Sequence, residues 1–217
     1  MAPIATSGAA RRGGGRASAR RRAVARRRRR VIAVVALAAT AFVVILTAPL
    51  FRKAVTEFNL PLTNADVIRQ QAAEKHLDPA LIAGVIYAET KFDARPSPAG
   101  AQGLMQILPQ TAEFLAHKSG ATTFTVADLG TPQVNIAYGS YYLRDLLDHY
   151  DGKTVLALAA YNGGEANVDR WVQDARRDGK QMTIKAIPFP ETRAYVQRVL
   201  HAQREYRHTY ASQLGYR

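Results

Sequence analysis

The sequence predicts a mainly α-helical protein: one helical domain with a minor β-hairpin region, preceded by a single transmembrane helix. Three observations predict it. Prolines stand directly ahead of apolar-periodic runs at Pro79, Pro109, Pro132 and Pro190. A missing N–H and a fixed φ suit proline to the first helical turn. The stretch from Val31 to Phe51 runs 21 residues without a charge. Strand signals are sparse, and no internal repeat is present.

The first element is residues 1–30, with eleven arginines and no acid. Such a segment has little to bury against its ordering entropy and reads as a disordered cytoplasmic tail. Removing those eleven from the 30 Lys and Arg leaves 19 basic against 17 acidic residues. The excess charge of +13 therefore belongs to the tail and not to a folded face, which argues against a nucleic-acid partner. Residues 31–51, as a helix, match the ~30 Å core of a bilayer. Arg26 to Arg30 directly before them place the N-terminus in the cytoplasm and the rest of the chain outside it. The tail then sets topology and touches anionic lipid. A cleaved signal peptide is the alternative, with Ala39-Thr40-Ala41 as its cleavage site. Its apolar region would be shorter, about 7–15 residues. Residues 52–59 form a short linker that reaches at most ~28 Å when extended, which would keep the domain close to the membrane. With no cysteine, disulfides, thiolate metal sites and cysteine nucleophiles are excluded.

The domain spans 60–210, and 211–217 is a C-terminal tail. Thr63 or Asn64 caps a first helix running to about residue 75. The next runs from Pro79 to about 89. Residues 90–108 carry Pro96, Pro98, Gly100 and Gly103 and read as a loop with short strands. Pro109 opens a helix to about 117, and Pro132 a longer one to about 150, with Ile136, Leu143 and Leu147 at helical spacing. Residues 154–161 are apolar nearly all round, as in a buried helix. Residues 165–177 are helical. The last helix starts near Pro190, with Tyr195, Val199, Ala202 and Tyr206 as its stripe.

Glu89 is the first candidate for chemistry. It lies at i+8 from Leu81 and i+7 from Ile82, so its carboxylate continues an apolar stripe. It also lies at a helix C-terminus, where the macrodipole disfavours negative charge. Desolvation and dipole both favour the protonated acid, as a general acid near neutral pH requires. Spacing alone leaves open a helix-end glutamate turned into water.

Around Glu89 the sequence reads Glu89-Thr90-Lys91-Phe92, Ser97-Pro98-Ala99-Gly100-Ala101, then Gly103-Leu104-Met105-Gln106-Ile107-Leu108-Pro109-Gln110-Thr111-Ala112. Later come Ala159-Ala160-Tyr161-Asn162-Gly163-Gly164 and Ile187-Pro188-Phe189-Pro190-Glu191-Thr192-Arg193-Ala194-Tyr195-Val196. Over roughly residues 62–207 these blocks, in this order, resemble the soluble lytic transglycosylase family. Its catalytic domain is α+β and lysozyme-like, related to goose-type lysozyme. The sequence departs from the pattern at Thr90, where serine is usual, and at Gly163, where alanine is usual. The loop from Glu89 to Ser97 is one residue shorter, which bears on the placement of Ser97. The resemblance implies that Glu89 is the sole catalytic acid/base. Ser97 would lie near the substrate's N-acetyl group, Gln106 would line the cleft, and Tyr161 would be the active-site tyrosine with Asn162 beside it. Glu191 would be a second, supporting acid. Taken singly, Ser97 reads equally as a turn residue and Tyr161 as a core aromatic.

A retaining glycosidase uses two carboxylates about 5 Å apart. The matched blocks offer no clear second one, Asp93 being in a loop without an assured position. A single acid/base suits the reaction that the resemblance implies. This is non-hydrolytic cleavage of the MurNAc–GlcNAc β-1,4 bond of peptidoglycan, leaving 1,6-anhydroMurNAc ends during cell-wall remodelling. The alternatives are a muramidase that hydrolyses the same bond and a non-catalytic peptidoglycan-binding scaffold. The implied partners are glycan strands and, through the N-terminal helix, the membrane. No cofactor and no metal are implied, since the five histidines form no ligand-like cluster in the sequence.

Overall fold

Proline opens four of the seven α-helices of residues 60–216 in the computed structural model, which describes residues 37, 40–48 and 60–216. The helices are α1 (Ala65–Glu74), α2 (Pro79–Thr90), α3 (Pro109–Ser119), α4 (Pro132–His149), α5 (Thr154–Gly163), α6 (Glu165–Arg177) and α7 (Pro190–Thr209). Short 3-10 helices at Val126–Gly130 and Ile184–Ala186 lead into α4 and α7. The sequence gives α1 a side-chain cap at Thr63 or Asn64, but no such bond forms. Asn64 is left-handed at φ 53°, and its amide donates to the Thr63 hydroxyl at 3.1 Å. Asparagine tolerates that conformation better than most residues.

The core is organised around α2. Every residue from Ala80 to Ile86 is buried, so α2 is enclosed by its neighbours, as its all-round apolar sequence requires. Its longest contact is with α7. A Cβ built on Gly84 would lie 2.9 Å from the Val199 carbonyl oxygen and 3.1 Å from the Gln203 amide nitrogen, so the two backbones touch there. At the start of α2 the Asp78 carboxylate accepts the Ala80 N–H at 3.0 Å and binds Gln203, Arg207 and Tyr216. Asp78 faces Gln203 and Arg207 while Gly84 faces Val199, so the helices run antiparallel. Extending that register carries Glu89 towards the N-terminal half of α7. α5, buried from Leu156 to Ala160, packs on α4, α6 and α7 and completes the interior.

Residues 211–216, set apart by sequence as a tail, fold back onto the domain. Leu214 is buried, and the Tyr216 hydroxyl reaches Asp78. Tyr206 and Tyr210 donate to the carbonyls of Pro61 and Leu60, which tie the entry of the domain to α7.

The expected β-hairpin is absent: among the described residues there is no strand, only one antiparallel bridge between Gln102 and Ile107. The hydrogen bonds a hairpin needs are used elsewhere. Gly103 (φ 72°) and Gln106 (φ 49°) turn the chain tightly between the bridged pair. The Met105 N–H goes to the Asn135 side chain rather than to a partner strand.

The chain divides into two units, Met1–Val55 and Thr56–Arg217. In the first, residue 37 and residues 40–48 are helical, and Leu37, Phe42, Val43, Val44, Ile45 and Leu46 are exposed. No helix among the described residues is long and apolar enough to cross a membrane. Most of the expected 31–51 span, the expected disordered tail 1–30 and the linker 52–59 lie outside the described residues.

Because backbone and not a flexible side chain faces Gly84, added volume there cannot be absorbed locally. Gly84→Val is expected to lower the stability of the full chain by about 2–3 kcal/mol, read as a fall in the urea unfolding midpoint.

Candidate active site

Glu89 occupies the last turn of α2, where the helix turns from apolar enclosure to an open cleft of about 400 Å³. The cleft is lined by Ala88, Glu89, Thr90, Lys91, Asp93, Arg95 and Gln106. The chain leaves α2 abruptly, since Lys91 (φ 51°) and Phe92 (φ 64°) are both left-handed. Two consecutive non-glycine residues in that region cost about 1–2 kcal/mol each. Packing offsets the cost: Phe92 lies against Tyr206, ring centroids 5.8 Å apart, and the Lys91 N–H returns to the Tyr87 carbonyl at 3.1 Å. The sharp exit leaves Glu89 at the cleft floor.

The Glu89 carboxyl is pushed up to about 7, chiefly by burial. Tyr195 and the positive charge of Arg198 act in the opposite direction. The Tyr195 hydroxyl is buried close to the carboxyl, without a hydrogen bond of ordinary length and angle. Tyr161 also lies near the carboxyl, and its hydroxyl donates to the Met105 carbonyl at 2.8 Å. Burial first, and the Glu89 charge second, raise both phenols well above their usual range. Both remain neutral hydrogen-bond donors at any pH at which Glu89 titrates.

The second wall of the cleft is the 101–107 turn, which a buried side chain holds. Asn135 on α4 is fully buried; its Oδ1 accepts the Met105 N–H at 2.8 Å and its Nδ2 donates to the Gln102 carbonyl at 2.9 Å. A Cβ at Gly103 would lie 2.1 Å from that Nδ2, and one at Gly139 would lie 2.4 Å from Met105 Sδ. Thr90 joins this wall to α2 by donating to the Leu104 carbonyl at 2.8 Å. A hydroxyl is what this contact uses, so the replacement of serine by threonine is structurally conservative.

The expected site residues separate into two groups. Glu89 and Gln106 line the cleft together, and Tyr161 interacts with Glu89 from α5. Gln106 is held by its amide, which donates to the Arg95 and Gly103 carbonyls at 2.9 Å each. Ser97, Asn162 and Glu191 are not among the lining residues. The Ser97 hydroxyl accepts the Ala101 N–H at 3.0 Å and closes the 97–101 turn. Asn162 is exposed on the last turn of α5, and Glu191 is exposed in the first turn of α7. Sequence reasoning placed Tyr195 only in an apolar stripe and missed Arg198 and Asn135. One signal was available for Asn135, since Asn135, Gly139 and Leu143 share a helical face, and a polar residue on that face must find partners.

The structure also brings together residues that the sequence keeps apart. His149 has Glu165 3.5 Å from Nδ1 and Asp169 3.1 Å from Nε2. Each ring nitrogen faces a different carboxylate, the arrangement of an ion-pair bridge from α4 to α6.

The transglycosylase SLT domain family matches residues 66–184. The chain belongs to this family. The soluble lytic murein transglycosylase of Salmonella typhimurium is 31% identical over 155 residues, covering 70% of this chain and 24% of that protein. The membrane-bound lytic murein transglycosylase C of Actinobacillus pleuropneumoniae is 29% identical, covering 65% of this chain and 45% of that one. An inactive Glu→Gln mutant of lytic transglycosylase Slt from Pseudomonas aeruginosa superposes with a TM-score of 0.66. It is 30% identical, covering 72% of this chain and 26% of that chain. The chain thus spans about a quarter of the length of the Salmonella and Pseudomonas SLT relatives. The helical fold described above is that of the SLT family.

The raised value of Glu89 has a consequence for stability. A carboxyl whose value rises from 4.5 unfolded to about 7 folded supplies stability below pH 4.5, lost as pH climbs through 7. Glu89→Gln, which does not titrate, is expected to gain about 2–3 kcal/mol relative to the parent between pH 4 and pH 8. Paired urea melts at the two pH values read this gain; a constant difference would mean that the carboxyl is not desolvated.

Proposed function

We propose that this chain is a peptidoglycan lytic transglycosylase that cleaves the MurNAc–GlcNAc β-1,4 bond without water and leaves 1,6-anhydroMurNAc ends. One observation carries the reading. The Glu89 carboxyl, raised to about 7 by burial, lines an open cleft, and the buried, neutral hydroxyls of Tyr161 and Tyr195 lie near it. A general acid must be protonated at working pH and still be acidic enough to give the proton up, and a value near 7 satisfies both. Membership in the SLT family and the naming of its relatives as lytic murein transglycosylases support the same reaction.

The chemistry follows from the placement. Protonated Glu89 gives its proton to the glycosidic oxygen as the bond from C1 of the muramic sugar breaks. The leaving GlcNAc departs with its 4-hydroxyl restored. Positive charge at C1 is met by the sugar's own N-acetyl group. The Glu89 carboxylate then takes the proton of the C6 hydroxyl as that oxygen closes on C1. Atoms balance without water, and the nucleophile is already tethered to the electrophile, which lowers the barrier. Gln106 presents its side chain at the cleft wall to sugar hydroxyls or amides. The Tyr161 hydroxyl, held by Met105, fixes the wall on the far side. Ser97 contributes by shaping the 97–101 turn through its bond to the Ala101 N–H.

A second reading has an observation of its own. Asp93 lines the cleft with Glu89, and a second carboxylate is what a hydrolytic muramidase needs to activate water. Asp93 is exposed and paired with Arg95, a solvated position in which nothing fixes it against a substrate. The first reading is therefore preferred.

Digestion of purified peptidoglycan followed by mass spectrometry tests the choice. Anhydromuropeptides are expected; products one water heavier, with reducing ends, would establish the muramidase instead. Glu89→Gln is expected to reduce the rate by about 10²–10⁴-fold, and Asp93→Asn to leave it within a few-fold. A large loss at Asp93 would move the assignment to hydrolysis.

The placement is part of the proposal. The 21 uncharged residues after Arg30 fit a single-pass anchor with a cytoplasmic N-terminus and the domain outside, over a short linker. A relative named as membrane-bound is compatible with it. The expected result is recovery of the whole chain in the membrane fraction. N-terminal sequencing that starts near residue 42 would replace the anchor with a cleaved leader.

A further inference from the structure

A second cavity, of about 550 Å³, opens between the start of α5 and the end of α6 and is larger than the cleft that Glu89 lines. The two share no lining residue. They lie at opposite ends of α5: Thr154 and Val155 in its first turn line the second cavity, while Tyr161 near its last turn lies close to Glu89. The ten residues of α5 span about 15 Å, so the cavity is a site of its own.

Its lining combines two chemistries. Val155, Val172, Ala175 and Met182 give it an apolar wall. Lys153, Arg176 and Lys180 bring three positive charges to the same lining, and no Asp or Glu belongs to it. Lys153 reaches Asp151 at 3.3 Å and Lys180 reaches Asp178 at 3.1 Å. All four side chains are more than half exposed, and solvated pairs of this kind hold their cations weakly. Arg176 makes no ion pair among the described residues. No side chain caps the start of α5, so the positive end of that helix adds to the same field. The volume is that of a small-molecule pocket. An apolar wall under a rim of one charge sign selects a short organic anion that carries small apolar groups.

We propose that this cavity is a peptide-stem subsite, holding a terminal carboxylate of a peptidoglycan stem against Arg176 and Lys180 with the alanine methyls of the stem on the apolar wall. The inference rests on the reading of the substrate as peptidoglycan, and it adds a second place at which the polymer is held. A stem peptide matches the lining on both counts, since it carries free carboxylates and methyl side chains on a short backbone. The sugar backbone matches on neither, being rich in hydroxyls and poor in apolar groups. A site one helix length from Glu89 holds a stem and leaves the reacting bond to the cleft.

The test is isothermal titration of the sugar-free tetrapeptide stem into the full chain and into two variants, Arg176→Glu and Arg177→Glu. Arg177 is the next residue of α6, lies outside the lining and pairs with Asp174, so its reversal makes the same change in net charge. The eleven arginines of residues 1–30 attract anions in all three proteins, so the difference between the variants decides. Arg176→Glu is expected to weaken the peptide about tenfold, and Arg177→Glu to leave it within about twofold. Amidation of the stem carboxylates removes the difference, and added salt brings the parent towards Arg176→Glu. Carbon-13 methyl spectra locate the peptide, because Met182 lines this cavity while Met105 belongs to the wall of the Glu89 cleft. The Met182 signal is expected to shift. Equal weakening by the two reversals, a shift confined to Met105, or a Met182 shift given by phosphatidylglycerol vesicles and not by the peptide overturns the proposal. None of these readings needs turnover. A chain that binds the stem but cuts no peptidoglycan fails only in the proposed reaction, and one that cuts it without binding the stem fails only here.

Discussion

Gly84 lets the backbones of α2 and α7 approach until a Cβ would lie 2.9 Å from the Val199 carbonyl oxygen, and the position of Glu89 follows from that contact. A closer-packed pair of helices has fewer ways to slide. Asp78 with Gln203 and Arg207 at one end, and Gly84 with Val199 in the middle, leave a single register for the far end. In that register Glu89 stands beside Tyr195 and Arg198. The Glu89 carboxyl is therefore placed by interactions about one and a half and three helical turns away along α2.

The opposite wall obeys a different rule. The 101–107 turn makes one bridge of its own and could not hold its shape by backbone pairing. It borrows partners instead: Asn135 from α4, Tyr161 from α5 and Thr90 from α2. A buried amide that satisfies a backbone donor and a backbone acceptor at once is costly to replace, since an apolar substitute would orphan both. Gly103 and Gly139 supply the room for it. The wall is thus as rigid as the helices it leans on, although it contains no regular structure.

This division explains what the sequence disclosed. Local signals were sufficient for the helices, because Pro79, Pro109, Pro132 and Pro190 mark their starts and the stripes mark their inner faces. They pointed to Glu89, whose spacing from Leu81 and Ile82 continues the apolar stripe, but left open a carboxylate turned into water. They failed where a residue's meaning depends on a partner far along the chain. Asn135 is one more polar position in a helix until Met105 and Gln102 are brought beside it. Tyr195 reads as core until Glu89, more than a hundred positions earlier in the chain, arrives at its hydroxyl. The hairpin was misread for the converse reason: turn residues and a short apolar run look like paired strands until a side chain takes one of the backbone donors. Ser97, Asn162 and Glu191 were named by resemblance to a pattern, and a pattern of residues does not say which of them face the cleft.

The chemistry proposed for Glu89 accounts for a cleft built from such unlike walls. An acid that, as proposed, gives up one proton and then takes another cannot be held in either charge state too firmly. Enclosure by α2's apolar neighbours favours the neutral form, and so does the helix C-terminus on which Glu89 sits. Each would be strengthened by deeper burial, which would also shut out a glycan strand. Opening the cleft at Gln106 and Arg95 admits substrate but returns water to the carboxyl. A value near 7 lies between the two: burial favours the protonated form, while Tyr195 and Arg198 act against it.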